Sequence, residues 1–374
     1  MKRVFCLILI AHLLLCGCAQ KQMPEVQESA VETTAASVQE TEVSNALRLT
    51  QESNVRKATY EGKDAYSEFL ACAQPAFLIP GLKQVLTPQG IAVCPTTGRT
   101  YISSYSVDDV PSNIAVTEAE SNILIAEYYL YNADGTPFTS HVGGIAVTQT
   151  HLYVSDNKDA QGNYRIAAIP LEQLPEEGSH DITVKETITM AMSPSMINFS
   201  GGYLWVGNFY HPNADYNLSP NMNYTTQAAD GSEYGCYILG FDMSQGHDRL
   251  LSDGPYPMPD IILAAPNRIQ GITLTDTGKV VLSQSYGRAN DSAILVYHLQ
   301  PEDTPDLELT LNDQLVPAFM LDDTRLASSI NSIPMSEGLA TASDGNVLIL
   351  YESGAIRYQD GKHRTSYVWS MSVE

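Results

Sequence analysis

Five times along the chain the same short phrase returns. It runs from a small or polar residue through a glycine or its equivalent into an apolar strand, a turn, and a second strand rich in Val, Ile, Leu, Tyr or Trp. It is found in the segments that begin at Pro88 (PQGIAVCPTTGRTYISSYS), Val142 (VGGIAVTQTHLYVSDN), Ser195 (SMINFSGGYLWVGNFY), Ile269 (IQGITLTDTGKVVLSQSYG) and Ile333 (IPMSEGLATASDGNVLILYESG). The turns carry glycine at 98, 201–202, 278 and 345, as tight hairpins demand. The second copy turns through TQTH without glycine, and the third lacks the glycine after its opening residue. The glycine-type positions fall at 90, 144, about 197, 271 and 338, at intervals of 54, 53, 74 and 67 residues. Repeats of this length built from short strands specify a β-propeller, because each twisted sheet has two faces to bury and only its neighbours in a ring can cover them. The fold class is all-β: a single β-propeller of four-stranded antiparallel sheets. Five blades account for the five openings; six, with one blade hidden in degenerate sequence, is the alternative. A β-sandwich would not explain the repeated phrase.

Further strands are expected at 122–132, 164–171, 236–243, 292–299 and 354–359, and a short helix at 63–72. The two long intervals contain insertions at 211–235 and 300–317 that read as polar loops. Ring closure needs the chain ends to pair, since an open sheet edge invites aggregation. Residues 77–86 are expected to join the last blade beside 366–372.

The N-terminus reads differently. Lys2 and Arg3 precede an apolar run from Val4 to Leu15, too short to span a bilayer and suited to a signal-peptide core. It ends in LCGC, residues 15–18, which resembles the lipobox of bacterial lipoproteins. The resemblance implies a signal peptide at 1–17, cleavage before Cys18, and diacylglycerol on the Cys18 thiol. Together with a further acyl chain such as palmitate, this would hold the protein to the extracytoplasmic side of the bacterial cell membrane. Residues 18–58, rich in Gln, Glu, Thr, Ser and Ala, read as a flexible tether, and 59–374 as the propeller.

Basic residues number 20 against 43 acidic ones, for a net charge of −23. Such a surface repels phosphate backbones, so nucleic acid is excluded as a partner and a monomer is expected. Beyond the signal and the lipidated position only Cys72, Cys94 and Cys236 are left, enough for at most one disulfide. G-x-S-x-G, H-E-x-x-H, Walker and dinucleotide-binding motifs are absent.

In a propeller the start of each blade's first strand and the end of its second converge at one mouth of the central channel. The starts are Gln89, Gly143, Met196, Gln270 and Glu337. The ends include Tyr105, Asp156, Asn157, Asn208, Ser285, Tyr286 and Glu352. Polar and aromatic residues recur there although the strands are apolar, which suits a mouth facing an unknown small molecule, carbohydrate or protein. Arg288 is notable in so acidic a chain. It suits an anionic ligand group, or a structural pairing with a carboxylate such as Glu352.

The repeated phrase resembles the gluconolactonase, paraoxonase and strictosidine-synthase-like group of propellers, loosely over 77–372. SQSYGRANDSAILVY and YESGAIRY resemble uncharacterised secreted bacterial propellers. The lactonase resemblance implies a divalent ion on the axis, Ca²⁺ or Mg²⁺, with Glu337 of SEGL as the opening ligand and Asn208 and Asp156 as partners. Such an ion would polarise a lactone or ester carbonyl. Two functions are therefore expected in competition: a binding module, and a metal-assisted lactone or ester hydrolase.

Overall fold

Each repeated phrase folds as the inner hairpin of one blade. The computed structural model describes residues 46–55, 60, 62–108, 110–213, 216–244, 249–300 and 303–373. Cys18, the signal peptide and the first part of the tether lie outside them. Blade I begins with Thr87–Val93 and Thr100–Tyr105, blade II with Ile145–Val147 and His151–Asp156, and blade III with Met196–Ser200 and Tyr203–Gly207. Blade IV begins with Ile269–Leu274 and Lys279–Gln284, and blade V with Ser336–Thr341 and Val347–Tyr351. Two further strands complete each sheet. In blade I they are Asn113–Thr117 and Leu124–Asn132; in blade IV, Ser292–His298 and Leu326–Ser332. The result is a five-bladed β-propeller.

Glycine sets the ring's tightness. A Cβ on Gly90 would lie 3.0 Å from the backbone N of Ile145, one on Gly144 would lie 2.2 Å from the N of Ile197, and one on Gly271 would lie 2.6 Å from the O of Glu337. A Cβ on Gly338 would lie 2.8 Å from the N of Ile91, which returns the contact to blade I. The repeated glycine is therefore the point where one inner strand's backbone touches the next around the axis. Apolar side chains fill the wedges between consecutive blades. Examples are Tyr128, Val154 and Ile169 between I and II, Tyr153, Leu204 and Tyr237 between II and III, and Ile349 and Trp369 between IV and V.

Closure comes from Ala73–Leu78, which pairs antiparallel with Tyr367–Met371 and supplies the outer strand of blade V. The expected segment was placed slightly late; only its first two residues belong to the strand. The short helix expected at 63–72 is present as a 3-10 turn, Asp64–Tyr66, running into a six-residue α-helix, Ser67–Cys72.

Three expectations need correction. Residues 300–317 are not simply a loop. Leu307–Leu311 and Gln314–Met320 form a hairpin whose second strand joins Ile261–Ala265 of blade III in parallel. Likewise Gly178–Val184, from the blade II sequence, runs parallel to Leu124–Asn132 of blade I. Residues 354–359 are not a strand but part of two 3-10 turns, Glu352–Gly354 and Ile356–Tyr358. Arg364 donates to the carbonyls of Ser353, Gly354 and Ala355 and holds that bend.

Finally, residues 46–55, read as tether, lie on the propeller. The backbone N–H groups of Arg48 and Leu49 donate to the fully buried carboxylate of Glu127 at 2.8 and 2.9 Å. Gln51 bonds Leu78, Asn122 and Leu124, and Asn54 bonds Gly354. This strap crosses the seam between blades I and V. Cys72, Cys94 and Cys236 are all free, and no helix among the described residues is long and apolar enough to cross a membrane.

Candidate functional site

At the end of the ring opposite the hairpin turns, side chains from all five blades enclose a cavity of about 520 Å³. Its floor is made by an irregularity that recurs in three inner strands. The pairing of blade I slips between Pro88 and Gly90, that of blade IV between Ile269 and Gly271, and that of blade V between Ser336 and Leu339. The extra residues at these bulges include Gln89, Gln270 and Glu337. A bulge re-aims its side chain out of the pleat, and here all three line the cavity.

Serine latches stabilise the same region. Ser103 accepts the Gly90 N–H at 3.1 Å and donates to the Val142 carbonyl of blade II at 2.8 Å. Ser155 takes the Gly144 N–H and donates to Pro194 of blade III. Ser283 bonds Ser336 of blade V at 2.6 Å. Deeper along the axis, Asn198 of blade III donates to Leu339 of blade V and Thr273 bonds Thr341, so side chains fill the channel below the floor.

Glu337 and Glu352 meet on this floor and hydrogen-bond each other. Two carboxyl groups do so only when one holds a proton. Glu337 is 4% exposed; burial, then the Glu352 charge, pushes its pKa well up. Burial also pushes Glu352 up, to about 7, against the opposing effects of donors from Tyr358 and Gln89, of the Arg357 charge and of the Glu337 hydrogen bond. The Gln89 amide donates to Glu352 at 2.8 Å and the Gln270 amide to Glu337 at 3.4 Å. Glu352 is thus the carboxylate, receiving donors, and Glu337 the acid. Arg357 donates to the Tyr105 hydroxyl, which in turn bonds Tyr358.

The walls are largely aromatic. Phe209 meets Tyr216 edge-on at 4.7 Å and stacks with Tyr286 at 6.3 Å, while His211 lies 4.3 Å from Tyr286. His141 packs 4.3 Å from Tyr105; enclosure by the walls, then the Arg357 charge, lowers its pKa and keeps it neutral.

Of the residues singled out in the sequence, Gln89, Tyr105, Asp156, Asn157, Gln270, Ser285, Tyr286, Glu337 and Glu352 all line this one cavity. Asn208 and Arg288 do not. Asn208 is a structural clamp: its Oδ1 accepts the Tyr237 N–H at 2.7 Å and its Nδ2 donates to Gly235 at 3.0 Å. Arg288 pairs with Asp360, not Glu352, through both carboxylate oxygens at 2.8 and 3.0 Å, and lies over the Tyr358 ring. Ser140, His141, Ser193, Ser195 and Met335, also at the mouth, were missed because they lie in the segments leading into the inner strands. The blade III insertion, read as a surface loop, contributes Tyr216 to the wall.

The residues named for a divalent ion do not fit one. The side-chain oxygen of Asn208 is committed to a backbone N–H, Asp156 is paired with Arg165 at 2.6 Å, and Glu337 is bound to Glu352. Among the described residues no three His, Cys, Asp or Glu side chains group to hold a metal ion.

No protein-family model and no curated protein matches the chain. Among solved structures it is similar to the PQQ-bound form of an aldose sugar dehydrogenase from Streptomyces coelicolor, at 13% identity over 80% of this chain and 98% of that one, with a TM-score of 0.43. It is also similar to a gluconolactonase from Xanthomonas campestris, at 13% identity over 82% and 92%, TM-score 0.34. A third is the calcium-binding protein regucalcin from Agrobacterium tumefaciens, at 11% identity over 78% and 91%, TM-score 0.36. Likenesses this loose bear on neither substrate nor site; the five-bladed ring stands on the strand pairing itself.

Proposed function

We propose that this protein is an exported, lipid-anchored binding module that holds a small polar organic molecule in the mouth of its propeller. One observation carries the reading: a single cavity to which every blade contributes, with a polar floor built from bulge residues of three inner strands. Bulges interrupt ladder bonding, and packing alone gives no reason to repeat them at one opening. A metal-assisted hydrolase would need Glu337, Asn208 and Asp156 to share an ion, and their oxygens are otherwise engaged.

Ser195→Trp, at a half-buried position of the cavity wall, fills the mouth and tests the reading. Thermal-shift measurements with a panel of small polar metabolites should raise the Tm of the wild type and leave the variant unmoved. A panel that moves neither protein, or both equally, contradicts the proposal. The anchor rests on LCGC at 15–18. Cys18→Ser should release the protein from the membrane fraction into the medium, and full retention of that variant would count against the anchor.

A further inference from the structure

The floor of the mouth carries a carboxylate that forms no direct ion pair among the described residues, although the Arg357 charge offsets part of it. Neither Glu337 nor Glu352 belongs to any of the ion pairs formed among the described residues, such as those of Arg165 with Asp156 and Arg288 with Asp360. The cations nearby have other partners. Arg165 holds Asp156, Lys158 sits over the Tyr164 ring at 4.4 Å, and Arg357, though its charge favours the Glu352 carboxylate, directs its guanidinium to the Tyr105 hydroxyl and forms no ion pair with that carboxylate. A buried carboxylate without a direct ion-pair partner is costly, and a ligand cation seated on it would relieve that cost.

A second feature points the same way. Gln89 is 97% buried, being 3% exposed, and its Nε2 is turned to Pro88 and Glu352. That orientation is fixed, because the reverse would set the amide oxygen against a carbonyl and a carboxylate. Its Oε1 is therefore the atom left for the cavity, and it accepts no hydrogen bond among the described residues. Gln270 repeats the arrangement from blade IV, with its Nε2 turned to Glu337. The floor has spent its donors on the carboxyl pair and presents acceptors to the ligand.

We infer that the ligand is a small organic ammonium. Its charged nitrogen would seat among the Gln89 and Gln270 carbonyls and the Glu337–Glu352 pair, and its carbon body would lie against Tyr286 and Phe209. A primary ammonium brings three N–H donors and a positive charge, and aromatic walls favour both cations and apolar bodies. The cavity, at about 520 Å³, has room for a whole small molecule and not merely an ion. This inference rests on the mouth being the binding site.

Calorimetry with matched pairs tests it: benzylamine against benzyl alcohol, and cyclohexylamine against cyclohexanol, at pH 8 and with CaCl₂ as a separate arm. At least one ammonium should bind tenfold or more tighter than its neutral partner. The preference should vanish in Glu352→Gln and weaken several-fold in Gln89→Ala, which leaves both carboxyls in place. If neutral partners bind equally well and Ser195→Trp blocks them, the mouth stands and the ammonium assignment falls. If Ca²⁺ binds in a Glu352-dependent way while every amine is silent, the floor belongs to a metal and the assignment is overturned. If nothing binds, both readings fail together.

Discussion

At the residue scale, the mouth is governed by two carboxyl groups that must share a proton. The ordinary carboxyl value of Glu352 is 4.5, and the folded protein holds it near 7. Between those values the native state keeps a proton that the unfolded chain gives up, so stability falls as pH rises through that window. Glu337 is shifted in the same direction. Thermal midpoints measured from pH 4.5 to 8 should decline in the wild type. Glu352→Gln should flatten the decline and raise the thermal midpoint at pH 8. An unchanged slope in the variant would contradict the pairing. Much of the mouth was legible from residue position alone, because strand starts and ends in a propeller converge by geometry. Bonding was not. Asn208 looks equivalent to Asp156 in the sequence, yet its amide is consumed by Gly235 and Tyr237, nearly thirty residues further on. Nothing local marks that capture. Nor does anything local mark that Arg288 would find Asp360 rather than Glu352.

At the scale of elements, inner hairpins were readable because glycine meets one demand at each end, turn geometry at Gly98, Gly278 and Gly345 and backbone contact with the next blade at Gly90, Gly144, Gly271 and Gly338. The misread elements answer to tertiary partners. Leu307–Leu311 and Gln314–Met320 have exposed residues on the sheet's outer edge and so read as polar loop, but blade III supplies the ladder that makes them strands. Residues 354–359 have strand-like composition, but Arg364 captures the preceding carbonyls and a Cβ on Gly354 would lie 2.4 Å from the Thr365 oxygen. The strap at 46–55 is a third case, since its partners, the buried Glu127 and the backbone at 78, 122, 124 and 354, all lie far along the chain. A chain lacking residues 1–45 and one lacking residues 1–55 differ only in the strap. Removing 1–55 leaves Glu127 buried without its two N–H donors and should cost about 2–4 kcal/mol, seen as a Tm several degrees lower. Equal Tm values for the two truncations would show that the strap does not dock.

At the scale of the whole molecule, the ring is laced as well as closed. Blade II lends Gly178–Val184 to blade I, blade IV lends Gln314–Met320 to blade III, and Ala73–Leu78 closes blade V from the other end of the chain. Each lent strand covers an edge that would otherwise pair with another molecule. Replacing Phe77 and Pro75 with Asp should loosen the closing strand and yield aggregates by size-exclusion chromatography, whereas charge added at exposed Leu315 should not. Soluble monomer from both would argue against closure by this strand.

Convergence of different blades on one charged floor is tested most directly by carbon-13 NMR of the glutamate carboxyls across a pH titration. Glu352 should titrate near 7, and Gln89→Ala, a change in blade I, should move it higher because a donor to the blade V carboxylate is lost. A Glu352 signal that titrates near 4.5 and ignores Gln89→Ala would mean that the two blades do not meet there.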